Sequence, residues 1–244
     1  KKAMKVLKFG GSSLGTPERI KSVIQILRGY NQKELTLVCS AFGGVTDQLI
    51  KLSELAYRGD QSYKELLKTL EIRHLDATRA LIGVAGQTAV LTQVKYSINE
   101  LEDMLHGVFL VRERTPRTLD YIMSFGERLS AFIIAEAIKD AGLPAAFLDA
   151  RKVIKTDDHF GYARVDFNQT DMLIREYFST VKELQVVTGF IASAPNGETT
   201  TLGRSGSDYT AAIFSAALDV EKMTIWKDVP GVLNADPKWF DETE

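Results

Sequence analysis

The sequence has few of the residues that build disulfides and metal centres. Its 244 residues include one cysteine, Cys39, and three histidines, His74, His106 and His159. One cysteine cannot form an intramolecular disulfide, and this set offers no Cys/His metal cluster. We therefore expect a cytoplasmic protein, kept in a reducing compartment, in which these four residues have structural or surface roles.

A strong charge of one sign and long apolar runs are also missing. The formal net charge is −2, whereas proteins that bind nucleic acids or membrane surfaces usually carry a basic patch. No apolar run approaches ~20 residues, the length of a membrane-spanning helix, and residues 1–5 contain no apolar signal region. With 45% hydrophobic and 25% charged residues, the chain is predicted to be globular and to act on small molecules.

Short apolar strands alternate with amphipathic helices along the chain. Lys5–Phe9 and Leu35–Cys39 read as buried strands, and a helix between them begins at Thr16 and Pro17. This alternation favours an α/β fold with a mainly parallel sheet and helices on both faces. Other strands are predicted at 145–148, 186–190 and 223–226, a hairpin turn at 195–198, a two-helix hairpin at 61–104, and helices at 47–57, 115–140, 170–178 and 209–218.

Two glycine-rich turns follow the first two strands. Gly-Gly-Ser-Ser occupies 10–13, and the run 40–47 contains a second Gly-Gly pair. Open α/β sheets bind ligands at the carboxyl ends of their strands, and glycine lets the backbone approach a phosphate closely. Lys8 could place a cation beside such a phosphate, or it could face solvent beside an ordinary turn. The hydroxyls of Ser40 and Thr46 could bind a carboxylate, although Thr46 could also simply cap the next helix.

A third run, 202–208, combines a fixed cation, a carboxylate and two glycines just before a predicted helix, where backbone N–H groups favour anions. Arg204 could hold a carboxylate through two parallel hydrogen bonds. Asp208 could bind Mg²⁺ or orient a lysine beside a phosphate, unless the run is an ordinary turn with an Arg–Asp ion pair.

Glu127 lies among apolar helix neighbours and needs a partner, either a substrate ammonium group or the adjacent Arg128.

Four separated motifs, in this order, closely resemble those of the aspartate kinases, or aspartokinases, of the amino-acid kinase superfamily. They are Lys-Phe-Gly-Gly-Ser-Ser at 8–13, Ser-Phe-Gly-Glu at 124–127, the run 199–210, and Trp-Lys-Asp-Val-Pro-Gly at 226–231. The resemblance extends over nearly the whole chain. It implies a three-layer α/β/α sandwich with an eight-stranded, mainly parallel sheet. Residues 1–244 are expected to form one catalytic domain, incomplete at its C-terminal end and without the family's regulatory ACT domains.

The resemblance also implies a reaction and a set of site residues. The reaction is transfer of the ATP γ-phosphate to the β-carboxylate of L-aspartate, which gives 4-phospho-L-aspartate for lysine, threonine and methionine synthesis. The implied cofactors are ATP and Mg²⁺, the implied catalytic residues are Lys8 and Asp208, and the full-length protein is expected to be a homodimer. Asp208 is also the implied Mg²⁺ ligand. The residues implied to bind aspartate are Ser40, Thr46, Glu127 for the ammonium group, Arg204 for the α-carboxylate, and Ser207. Those implied to bind the nucleotide are Lys8, Gly10, Gly11, Ser12, Lys227, Asp228 and Lys238.

Two other functions stay open on the sequence alone. The chain could phosphorylate another substrate of the superfamily, as a glutamate 5-kinase-like enzyme would, or it could be a non-catalytic ligand-binding domain of the same fold. An N-acetylated or carbamate substrate would give Glu127 no ammonium group to bind. The presence of both Lys8 and Asp208 favours a kinase over a domain that only binds.

Overall fold

A five-stranded parallel sheet forms the centre of the computed structural model, which describes residues 4–227. Its strands in chain order are β1 (Lys5–Phe9), β2 (Leu35–Cys39), β3 (Ala145–Leu148), β4 (Leu184–Thr188) and β7 (Lys222–Trp226). They lie in the order β3-β4-β2-β1-β7, and each neighbouring pair is parallel. Two short strands, β5 (Ile191–Ser193) and β6 (Thr199–Thr201), form a separate antiparallel hairpin.

The predicted strands are confirmed with two differences. The strand predicted at 186–190 lies two residues earlier, because Phe190 adopts a positive φ of 69° that ends the extended backbone. The expected eight-stranded sheet is wrong for residues 4–227, where the main sheet has five strands. The chain turns back at 195–198, so β5 and β6 form their ladder with each other and do not extend the main sheet.

The helices also match the prediction, except that the second helix of the predicted hairpin continues to Val111, seven residues beyond the predicted end at 104. The capping of α1 (Pro17–Leu27) and α5 (Pro116–Asp140) follows from sequence, since a threonine hydroxyl accepts a backbone N–H and proline occupies the first turn of each helix. None of the helices in the described part of the chain is long and apolar enough to cross a membrane. The helices are α1 (Pro17–Leu27), α2 (Val45–Arg58), α3 (Tyr63–Leu81), α4 (Val84–Val111), α5 (Pro116–Asp140), α6 (Phe167–Thr180) and α7 (Gly206–Ala217).

Two hydrophobic clusters lie against the sheet, one containing residues of α1 to α5 and the other residues of α6 and α7. Neighbouring strand residues alternate between them: Leu7 and Phe9 belong to the first cluster, and Val6 belongs to the second. Because successive side chains of a strand point to opposite faces, Lys8 shares the face of Val6. The fold therefore turns Lys8 towards α7.

Candidate active site

A cavity of about 360 Å³ opens where β1 and β2 end. Five separate segments line it: the end of β1 with its glycine turn, the glycine turn after β2, Glu127 of α5, Phe190 just after β4, and the turn that leads into α7. Most of the site residues predicted from sequence meet here. Those in the wall are Lys8, Gly11, Ser40, Thr46, Glu127, Arg204, Ser207 and Asp208.

The two glycine turns pack directly against each other. A Cβ on Gly11 would lie 3.1 Å from the Ala41 carbonyl oxygen, and one on Gly43 would lie 3.0 Å from the Gly11 oxygen. A side chain at either position would therefore push the backbones apart. From α3, Arg73 donates hydrogen bonds to the carbonyl oxygens of Gly43 at 2.8 Å and Gly15 at 3.1 Å. Arg73 thus joins the two turns, a role that its sequence position gave no reason to predict.

Helix α5 brings Glu127 into the cavity. The helix comes so near the second glycine turn that a Cβ on Gly126 would lie 2.8 Å from the Ala41 Cβ. The Ala41 N–H donates to Glu127 Oε1 at 3.3 Å, and the Ser130 hydroxyl donates to the Ser40 carbonyl oxygen at 2.7 Å. Each of these contacts depends on glycine at position 126, because a larger residue would hold the helix further away.

The Glu127 carboxyl group has no counter-charge among the residues that the structure describes. Its side chain is buried, and Oε2 has no hydrogen-bond partner among residues 4–227. Burial raises the pKa of Glu127 to about 8, so this carboxyl group is mostly protonated at neutral pH unless a cation lies beside it. Arg128, the alternative partner, instead pairs with Glu100 at 2.9 Å. A cation that enters the cavity would favour the ionised form of Glu127.

One carboxylate lies between two lysines on the other side of the cavity. Lys8 Nζ is 2.6 Å from Asp208 Oδ1, and Lys227 Nζ is 3.6 Å from Asp208 Oδ2. A Cβ on Gly10 would lie 3.4 Å from Lys8 Nζ, so the ammonium group extends over the first glycine turn. With two cations around one anion, this part of the site has a net positive charge. Such an arrangement suits a bound phosphate.

The turn before α7 carries a cation, Arg204, with no ion pair in the part of the chain that the structure describes. Arg204 is exposed and lines the cavity. The neighbouring backbone is unusual, with positive φ values at Gly203 (76°) and Ser205 (60°). Asp208 pairs with lysines and not with Arg204, so the Arg–Asp pair considered as an alternative is not formed. The guanidinium group is available to bind a carboxylate.

The other predicted residues are more peripheral or lie outside the described residues. Gly10 and Ser12 belong to the first glycine turn, where the Ser12 carbonyl oxygen accepts a hydrogen bond from Arg19. Asp228 and Lys238 lie outside residues 4–227. In that range, no group of three or more His, Cys, Asp or Glu side chains could hold a metal ion by itself. An Mg²⁺ ion bound at Asp208 would take most of its ligands from phosphate oxygens and water, as is usual for this ion.

Sequence reasoning missed several residues in the cavity wall: Phe42, Asp47, Phe190 and Ser205. Gly189 and Phe190 follow the observed strand β4 as the two glycine turns follow β1 and β2. Gly189 leaves room for Ser207, whose Oγ would lie 2.6 Å from a Cβ at that glycine. The sequence did not indicate this turn, because the predicted strand at 186–190 included both residues.

Comparisons with known proteins point to one group. The family model described as the amino acid kinase family matches residues 3–243. The chain is 33% identical over 239 residues to bifunctional aspartokinase/homoserine dehydrogenase 2 of Zea mays, covering 97% of this chain and 26% of that protein. It is 32% identical over 243 residues to lysine-sensitive aspartokinase 3 of Escherichia coli, covering 96% of this chain and 51% of the relative.

A solved structure gives the same result. The crystal structure of E. coli aspartokinase III in complex with aspartate and ADP superimposes with a TM-score of 0.90 at 27% identity. The match covers 99% of this chain and 53% of that one. The chain therefore spans between about a quarter and about half of the length of the relatives it matches.

Proposed function

The chain belongs to the amino acid kinase family, and on that premise we propose that it is the catalytic domain of an aspartate kinase. The proposed reaction transfers the γ-phosphate of ATP to the β-carboxylate of L-aspartate and gives 4-phospho-L-aspartate. In biosynthesis this product leads towards lysine, threonine and methionine. The similar E. coli enzyme was crystallised with aspartate and ADP, which supports the choice of substrates.

One observation carries the proposal: a buried carboxyl group without a counter-charge shares a cavity with an unpaired guanidinium group. Glu127 Oε2 has no partner, and Arg204 has no ion pair, among residues 4–227. A free amino acid supplies the missing charges, since its ammonium group can pair with Glu127 and its α-carboxylate with Arg204. The hydroxyls of Ser40, Thr46 and Ser207 would then surround the substrate, with its β-carboxylate towards Lys8.

The chemistry asks for little beyond positioning and charge neutralisation. The attacking β-carboxylate is already ionised at neutral pH, so no general base is required. Lys8 would stabilise the charge that develops on the transferred phosphoryl group, and Asp208 would orient Lys8. An Mg²⁺ ion held at Asp208 would neutralise phosphate oxygens when the nucleotide is bound.

The remaining parts of the proposal concern the nucleotide and the whole protein. Gly10, Gly11 and Ser12 would hold the ATP phosphates, and Lys227, Asp228 and Lys238 would complete the nucleotide site. The first three belong to one glycine turn beneath the Lys8 ammonium group, which favours this assignment. The three-layer α/β/α sandwich and the homodimer are proposed from the resemblance, and the cytoplasmic location from the single cysteine. Light scattering and cell fractionation of the full-length protein test the last two.

Trapping of the acyl phosphate tests the reaction. Full-length protein is incubated with ATP, Mg²⁺ and hydroxylamine, with aspartate, glutamate and N-acetylglutamate in parallel, and the hydroxamate is measured. We expect product from aspartate only. Product from glutamate or N-acetylglutamate alone would favour another kinase of the family, and no product from any substrate would favour a binding domain.

Two lysines of the same strand provide a matched control. Lys8→Ala should abolish hydroxamate formation, because it removes the cation at the phosphate. Lys5→Ala should retain activity, because Lys5 lies at the other end of β1, where it pairs with Glu221 at 4.0 Å. Equal activity in both variants would remove Lys8 from the proposed mechanism.

A further inference from the structure

Asp120 is a fully buried carboxylate outside the cavity wall that accepts three hydrogen bonds. Its Oδ2 accepts from the backbone N–H groups of Gly161 at 2.8 Å and Thr201 at 3.0 Å, and its Oδ1 accepts from the Thr201 hydroxyl at 2.9 Å. Burying a carboxylate is costly unless hydrogen bonds compensate. The three donors come from two separate segments, so Asp120 holds those segments together and to α5.

Both segments lead to Arg204. Thr201 ends β6, and its carbonyl oxygen accepts from the Ala163 N–H at 3.0 Å, which fixes it to the loop that contains Gly161. In that loop the ring of Tyr162 packs on Gly203, where a Cβ would lie 2.6 Å from the ring. Gly203, with its positive φ of 76°, is the residue before Arg204. The Asp120 hydrogen bonds thus restrain Gly203 in two ways, through β6 and through the loop that contains Tyr162.

Glu127 and Asp120 are carried by the same helix. They are seven residues apart, which is about two helical turns and puts them on one face. Helix α5 therefore positions Glu127 directly and the turn of Arg204 through Asp120. The distance between the Glu127 carboxyl group and the Arg204 guanidinium group is therefore set by α5.

We infer that Asp120 is a positioning residue that fixes the spacing between Glu127 and Arg204. A site with fixed spacing binds an amino acid through its ammonium and carboxylate groups at one separation. The inference rests on the proposed function for its choice of substrate. The hydrogen bonds that carry it do not depend on any substrate.

Steady-state kinetics of the full-length protein test the role. Asp120→Ala should raise the KM for aspartate by ~10- to 100-fold, because a displaced Arg204 binds its carboxylate poorly, and should leave the KM for ATP within about twofold. Asp120→Asn should restore the aspartate KM to within about threefold of the original, because an amide oxygen accepts the two N–H groups and its NH₂ can donate to the Thr201 hydroxyl. Ile138→Ala, a cavity-forming change near the far end of α5, should destabilise the protein without changing either KM by more than about twofold.

Hydrogen exchange gives a readout that does not need substrate. In Asp120→Ala, amides of residues 202–208 should exchange at least ~10-fold faster than in the original protein, while those of residues 40–46 keep their rates. If Asp120→Ala does not fold, Thr201→Val removes one contact and should raise the aspartate KM about 5-fold. An unchanged aspartate KM with unchanged exchange at 202–208 overturns the inference, as does an equal rise of both KM values. If the original protein does not phosphorylate aspartate, the proposed function fails, and the exchange measurement alone decides on Asp120.

Discussion

Replacing Glu127 by glutamine should stabilise the substrate-free protein, increasingly so at higher pH. The cause is burial, which raises the pKa of Glu127 from its ordinary value of 4.5 to about 8. A carboxyl group with a raised native pKa favours folding below pH 4.5 and loses that contribution as pH rises to about 8. Glutamine cannot ionise, so the variant does not carry the free-energy cost of ionising a buried carboxyl group.

The size of the effect follows from the two pKa values. Each pKa unit corresponds to about 1.4 kcal/mol, so above pH 8 the full cost of ionising buried Glu127 is about 5 kcal/mol. At pH 7 it is about 3 kcal/mol, and at pH 5 it is below about 1 kcal/mol. Any cost of burying the new amide adds a constant, so the test lies in the pH dependence of the difference.

Urea unfolding between pH 5 and pH 9 measures this difference. The free energies of unfolding of Glu127→Gln and the original protein should diverge by several kcal/mol across the range. Exposed Glu102 on α4 supplies a control, because Glu102→Gln should follow the original curve. Parallel curves for Glu127→Gln and the original protein would refute the reasoning.

A second readout is proton release on binding. At pH 7, aspartate binding should release about one proton from Glu127. Calorimetry in buffers of different ionisation enthalpy should detect this proton in the original protein and none in the variant.

Three further predictions concern the rest of the cavity. Asp208→Ala should abolish turnover while the protein stays folded by circular dichroism, because the group that orients Lys8 is lost; near-normal turnover would contradict its catalytic role. Arg204→Ala should raise the KM for aspartate at least ~10-fold, since a charged hydrogen-bonded pair is lost, with the KM for ATP nearly constant; an unchanged aspartate KM would exclude Arg204 from substrate binding. Gly126→Ala should destabilise the protein by about 1–3 kcal/mol and weaken aspartate binding, because its Cβ would meet that of Ala41 at 2.8 Å; unfolding and binding titrations would show no change if the close approach is unimportant.

Much of the site could be predicted because its residues occur where strands end. The carboxyl ends of parallel strands meet at one edge of a sheet, so Lys8 and the turns after β1 and β2 had to come together. Glycine pairs marked the turns, and the Gly-Arg-Ser-Gly-Ser-Asp run marked the start of α7. Local patterns were sufficient for these parts, because each depends on residues adjacent in the chain.

Other features depend on distant neighbours and could not be predicted from local patterns. The pairing of Arg128 with Glu100 on α4, which leaves Glu127 Oε2 without a partner among residues 4–227, is set by how two helices pack. Asp120 looks like an ordinary helix residue until the hairpin of β5 and β6 lies beside it. The end of β4 was misplaced because a bulky residue at positive φ, as at Phe190, is uncommon and has no signature in the sequence.

The two hydrogen bonds of Arg73 bear on how the cavity opens. The guanidinium group holds the carbonyl oxygens of Gly15 and Gly43, so the turn beside Lys8 and the turn beside Glu127 are fastened to the same helix. Both glycine turns are therefore held in place against α3. We expect product release to leave both glycine turns in place, since neither can move away without breaking its hydrogen bond to Arg73.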